Sequence, residues 1–246
     1  TLSAVSPHVI VDKAVSMCME GQEGPIHIDV PISVADQDAL GEGELRPPAM
    51  PVVPSDVAML REILSRAKRP LIVAGVDAVA QDAGAEITAI AERLGAPVIT
   101  TYKAKGIVPE SHKLAMGGAG LSPLADEILL PLVAEADVVL CLGYDPIEMR
   151  AGWQNPWDLS RQTVIDVTAV PNHHYMHHAS YNVVSSCRET ASELLPEYSE
   201  TNWPDGRLTQ VKADLANVFA PEPEWGPASA IATCQRGLPP DTLASA

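Results

Sequence analysis

A chain of 246 residues can hold one large or two small domains, and a hydrophobic fraction of 46% supports a real core. The net charge of −16 argues against nucleic acid or an anionic membrane surface as a partner, because both are negative. No run approaches the roughly 18 apolar residues a spanning helix needs, and the first residues lack the basic and apolar blocks of a signal peptide. Reading from the start, helical spacing covers Pro7 to Glu20. The run Gly24-Pro-Ile-His-Ile-Asp-Val-Pro31 then alternates Ile26, Ile28 and Val30 with His27 and Asp29, a strand pattern fenced by Gly-Pro and Pro. A short strand is marginal without a sheet, so its partners are expected upstream of Thr1.

From Ala35 to Pro54 the chain turns to Asp, Gly, Glu and Pro, the composition of an extended, semi-rigid linker. Ser55 is placed to cap a helix whose core face is Met59, Leu60, Ile63 and Leu64. Alternation of strand and helix follows. Strands are predicted at Pro70–Gly75, Ala96–Thr100, Lys113–Met116, Asp137–Gly143, Thr163–Val167 and Tyr181–Val184. Helices are predicted at Ala80–Leu94, stopped by Gly95, at Leu124–Ala136, kinked or interrupted at Pro131, and at Arg188–Leu195. Aromatic residues make up only 4%, so the core must be Ala, Val, Ile and Leu, the composition of a buried parallel sheet. The fold class is α/β: a doubly wound, Rossmann-like parallel sheet of five or six strands with helices on both faces.

Past Pro196 the chain is polar, then helical from about Gly206 to Phe219. Pro221-Glu-Pro-Glu-Trp-Gly-Pro227 reads as a second linker, and a last helix runs from Ala228 to Leu238. Cys18, Cys141, Cys187 and Cys234 are widely spaced without a C-x-x-C pair, so a reducing, cytoplasmic setting is the simplest reading. Cys141 lies in an apolar run and reads as a small core residue.

A helix, then Gly24-Pro-Ile-His-Ile-Asp-Val-Pro31, then a Pro-rich linker and a nucleotide-type fold resembles the thiamine-diphosphate (ThDP) enzymes of the acetolactate-synthase type. The resemblance implies the tail of a pyrimidine-binding domain at 1–33, a linker at 34–54 and a whole central domain at 55–198. It implies a helix and linker at 199–227 and the opening of a diphosphate-binding domain at 228–246. It further implies ThDP and magnesium in a full-length parent, a homo-oligomer (dimer or tetramer), and as partners the remaining pyrimidine and diphosphate domains. No Gly-Asp-Gly metal segment occurs in the chain, so the piece alone is expected to be inactive.

Candidate ligand positions follow from the rule that doubly wound sheets bind beyond their carboxyl strand ends. They are Gly75 after the first strand, Gly117 and Gly118 in Met116-Gly-Gly-Ala-Gly120, Gly143 in Gly143-Tyr-Asp-Pro-Ile-Glu148, and Asp166 as a ribose acceptor. Relatives that bind FAD carry several glycines after the first strand and an Arg where this chain has Tyr144-Asp145-Pro146. The run here resembles the FAD-independent catabolic enzymes. An empty crevice is therefore expected, with FAD or ADP the minor alternative, since glycines turn the chain at most strand–helix junctions. The cluster His173-His-Tyr-Met-His-His178 offers i, i+4 pairs but no third ligand nearby, so no metal is assigned. Asp145 and Glu148 read as turn caps, and no catalytic constellation is found. A stand-alone NAD-, FAD- or ADP-binding module, perhaps an oxidoreductase, is the alternative reading.

Overall fold

Among the described residues six strands form one sheet: β1 (Pro70–Ala74), β2 (Val98–Thr100), β3 (Ala115–Gly118), β4 (Val138–Leu142), β5 (Thr163–Thr168) and β6 (Tyr181–Val184). All pairs are parallel, and the order is β3-β2-β1-β4-β5-β6. The helices are α1 (Pro7–Met19), α2 (Ile32–Ala35), α3 (Val57–Arg66), α4 (Val76–Ala80), α5 (Gly84–Leu94), α6 (Pro123–Glu135), α7 (Cys187–Glu193), α8 (Arg207–Val218) and α9 (Pro227–Gly237). This structure is a computed structural model, and it describes residues 7–19, 24–38, 56–154, 156–171, 176–221, 225–239 and 242.

Strand alternation divides the core into two layers. Ile72, Leu140, Leu142, Ile165 and Val167 face α3, α5 and α7, where Leu60, Leu64, Ile87, Ile90, Leu94 and Leu194 are buried. Leu71, Val73, Val139, Cys141 and Val164 face the other way, toward Leu129, Leu132 and Val133 of α6 and Val211 of α8. Burial on both faces is why β1 and β4 read as unbroken apolar runs rather than alternating ones. Met59, expected on the core face of α3, is instead 45% exposed.

Several predicted elements shift for identifiable reasons. The predicted helix Ala80–Leu94 begins only at Gly84, as α5, and a separate short helix, α4, fills Val76–Ala80 where a loop was expected, the two joined by a turn with Asp82 at φ +50°. Tertiary bonds hold α4 over the strand ends: the Gln81 side-chain oxygen accepts from the Cys187 amide at 2.7 Å and the Ser186 hydroxyl at 3.0 Å. Gly84 then lets α5 pass the Ile107 carbonyl, which a Cβ there would approach to 2.6 Å. Gly95 ends α5 in the left-handed region at φ +60°, as predicted. Pro131 does not interrupt α6, which is continuous over 13 residues. Pro131 and Glu127 are both exposed, so the missing backbone bond lies on the solvent side, where water can replace it.

The predicted strand Gly24–Pro31 pairs with nothing among the described residues and lies exposed, outside the ladder. Its polar contacts are local: His27 Nε2 to Asp29 Oδ1 at 3.0 Å, and the Gly24 amide donating to Cys18 O at 3.3 Å. A short strand needs a sheet edge to pair with, and among the described residues the six-stranded sheet does not supply it one. Ser55, most of the 34–54 linker and His173 and His174 fall outside the described residues. The stretch after Pro196 docks on the sheet domain: the Asn202 amide donates to Lys68 O at 2.7 Å and the Trp203 indole to Pro70 O at 3.1 Å. A two-pronged pair from Arg207 to Glu135 then fastens α8 to α6.

Candidate functional site

Strand order reverses between β1 and β4, so the crevice of a doubly wound fold should open where their following loops part. The loops meet instead. The Gly75 amide donates to Leu142 O at 2.9 Å, and the Asp77 amide to Gly143 O at 3.3 Å. A Cβ on Gly75 would lie 2.2 Å from Gly143 O, and one on Gly143 would lie 2.4 Å from the Ala78 nitrogen. Gly143 also holds φ +67°, where a side chain is strained. These two glycines let backbone touch backbone at the strand-order reversal.

Beyond the contact, Tyr144 is only 3% exposed. Its ring stacks on His177 at 5.7 Å between centroids, and Trp157 meets both rings edge-on at 5.8 and 5.4 Å. The Tyr144 hydroxyl donates to His177 Nδ1 at 2.9 Å, and His177 Nε2 donates to the Trp153 carbonyl. Burial pushes the Tyr144 phenol upward, with Cys141, Asp166, Asp145 and Glu148 adding, so it stays a donor. Both ring nitrogens of His177 are thus engaged in tying the loop after β5 to the loop after β4. Removing the ring in His177→Ala should cost about 1–3 kcal/mol, because the Tyr144 hydroxyl loses its acceptor. Urea unfolding followed by Trp emission measures this; an unchanged midpoint would deny His177 a tethering role.

Asp166 lies inside β5, opposite Cys141 of β4, rather than at the strand end. One of its carboxylate oxygens is buried without a hydrogen-bond partner. Burial, then the Asp77 carboxylate, raises it to about 7. Asp77 is itself raised, by burial first, although its Oδ2 accepts the Ala169 amide at 3.1 Å. Burial pushes the Cys187 thiol up to about 12, with Asp77 and Asp166 assisting. Asp145 caps its turn as expected, accepting from the Ile147 amide at 3.0 Å, and Glu148 accepts from the Lys103 amide at 3.2 Å.

The five predicted ligand positions therefore separate into two places. Gly75, Gly143 and Asp166 gather at the β1/β4 reversal. Gly117 and Gly118 sit at edge strand β3, beside a different cleft. The aromatic cluster was not foreseen; its only trace in the sequence is a Tyr following a buried strand, with a Trp and a His some way downstream. Among the described residues no group of three His, Cys, Asp or Glu side chains is placed to hold a metal ion.

A sequence profile of the thiamine pyrophosphate enzyme central domain matches residues 57–194. An acetolactate synthase large subunit of Corynebacterium glutamicum is 29% identical over 137 residues, covering 53% of this chain and 22% of that protein. A sulfoacetaldehyde acetyltransferase of Castellaniella defragrans is 43% identical over 81 residues, covering 33% of this chain and 13% of that protein. A solved structure described as a thiamin diphosphate-dependent enzyme of Mycobacterium smegmatis superposes with a TM-score of 0.66 at 22% identity. It covers 83% of this chain and 40% of that one, a likeness of fold. The matched region spans a quarter or less of the length of these curated relatives.

Proposed function

Because the chain belongs to the thiamine pyrophosphate enzymes, whose central domain its residues 57–194 match, we propose that it is the spacing domain of an acetolactate-synthase-like parent. In this reading residues 1–33 and 228–246 belong to the pyrimidine- and diphosphate-binding domains on either side. The parent decarboxylates a 2-oxo acid and passes the acyl carbanion equivalent to an acceptor. ThDP, when bound there, supplies the electron sink for decarboxylation. The parent is a cytoplasmic homo-oligomer, a setting in keeping with four free cysteines. Among the described residues no helix is long and apolar enough to cross a membrane.

The residues present do not fit the coenzyme: the sequence has no Gly-Asp-Gly segment and the described residues no three-ligand metal cluster. They do not fit a nucleotide at the strand-order reversal either. The observation that carries this reading is the backbone contact of Gly75 with Gly143, which leaves a dinucleotide no path between the loops. The central domain then works as a rigid spacer that holds two coenzyme-binding domains apart. Calorimetry tests it on the 246-residue chain. Neither ThDP with magnesium, nor FAD, nor ADP should show saturable heat. A micromolar ThDP site would overturn the spacer role, and a micromolar FAD or ADP site would revive the nucleotide-binding alternative.

A further inference from the structure

A second cleft opens at the carboxyl end of edge strand β3, two strands from the β1/β4 reversal. Its volume is about 380 Å³, within the range of small-ligand pockets. Met116, Ala119, Leu121, Ala125, Leu215 and Phe219 give it an apolar lining drawn from β3, the β3–α6 loop, α6 and the end of α8. Tyr102 and Phe219 stand on the rim, 54% and 49% exposed. Among the described residues no acidic side chain lines the cleft, although the chain carries 32 of them.

One charged side chain enters, and it is a cation. The stem of Lys105 lies across Gly118, where a Cβ would come within 3.1 Å of its Cγ and Cδ. Gly118 is thus the residue that lets the lysine lie flat over the opening. Its ammonium reaches Glu110 only at 3.9 Å, longer than a hydrogen bond, with both side chains more than half exposed. Such a pair contributes little and gives way readily to a better-placed anion. Ser122, also on the lining, accepts the Ala125 amide at 3.4 Å through its oxygen, which leaves its hydroxyl proton free to donate.

We propose that this cleft binds a small aryl carboxylate, with the ring among Met116, Leu215 and Phe219 and the carboxylate on Lys105 and the Ser122 hydroxyl. The chemistry of the lining selects this class. An apolar cavity favours the ring, and a cation and a hydroxyl on the same lining favour an oxyanion over a neutral or cationic head. The inference rests on the cleft alone and stands or falls separately from the family reading.

The test uses 3-phenylpropionate and its neutral analogue 3-phenylpropanamide on the 246-residue chain labelled at its methionine methyl groups. Met116→Leu assigns the Met116 signal. The acid should shift that signal saturably with a dissociation constant below about 1 mM. The amide should bind about tenfold more weakly. Lys105→Met, at an exposed position that leaves the core intact, should erase the difference between acid and amide. No saturable shift up to about 10 mM would overturn the proposal. So would shifts that bypass Met116, equal binding of acid and amide, or an unchanged preference in Lys105→Met.

Discussion

Gly143→Ala should lower the melting temperature by about 10 °C. Two costs combine. The added Cβ would sit 2.4 Å from the Ala78 nitrogen and 2.8 Å from Asp77 Cβ, so one loop must retreat from the other. A forced backbone displacement of this kind costs about 1–3 kcal/mol. The left-handed backbone at φ +67° adds about 1–2 kcal/mol for a residue with a side chain. Gly75→Ala meets the same contact from the other side, at 2.2 Å from Gly143 O, and should behave alike. Gly152→Ala is the control, since nothing lies within 4 Å of its Cβ position; it should change stability by less than about 0.5 kcal/mol. Thermal unfolding of the three variants measures the contrast. If Gly143→Ala melted with Gly152→Ala, the loops would not be in contact and the crevice would be open.

Stability should fall as pH rises from about 4 to about 7, because Asp166 is buried beside Asp77. An aspartate in the unfolded chain releases its proton near 3.8, whereas Asp166 in the folded chain holds it to about 7. Below the lower value both states are protonated and no penalty applies. Between the two values the folded state binds more protons than the unfolded state, so the stability curve slopes downward. Above the higher value the full cost is present, on the order of 4 kcal/mol. Asp77 is displaced in the same direction and adds to the slope. Asp166→Asn keeps the shape of the side chain and removes the charge, so it should unfold at clearly higher urea than the unsubstituted chain at pH 8 and by a much smaller margin at pH 4.5. Urea midpoints at the two pH values decide it. An equal slope in both proteins would mean that Asp166 ionises freely, and the orphaned oxygen would then have a partner in solution.

Much of this architecture was legible in residue order. Unbroken apolar runs such as Asp137–Gly143 announce strands buried on both faces, and the spacing of Ile87, Ile90, Ala91 and Leu94 announces the helix that covers them. Gly95 marks a helix end because only a residue without Cβ turns left there cheaply. These are local statements, set by side-chain periodicity and single-residue backbone freedom. The same locality explains a miss: Met59 has a core residue's spacing but no layer above it.

The composition and order of residues thus determined the α/β class, the parallel sheet and the family to which it belongs. Only the tertiary structure decided that Gly75 and Gly143 face each other across the reversal point, while Gly118 lines a separate cleft at β3. A glycine carries no sign of what approaches it, since its role is defined by the atom that fills the space a side chain would take. That atom belongs to a distant part of the chain: the Gly143 carbonyl for Gly75, and the Lys105 stem for Gly118.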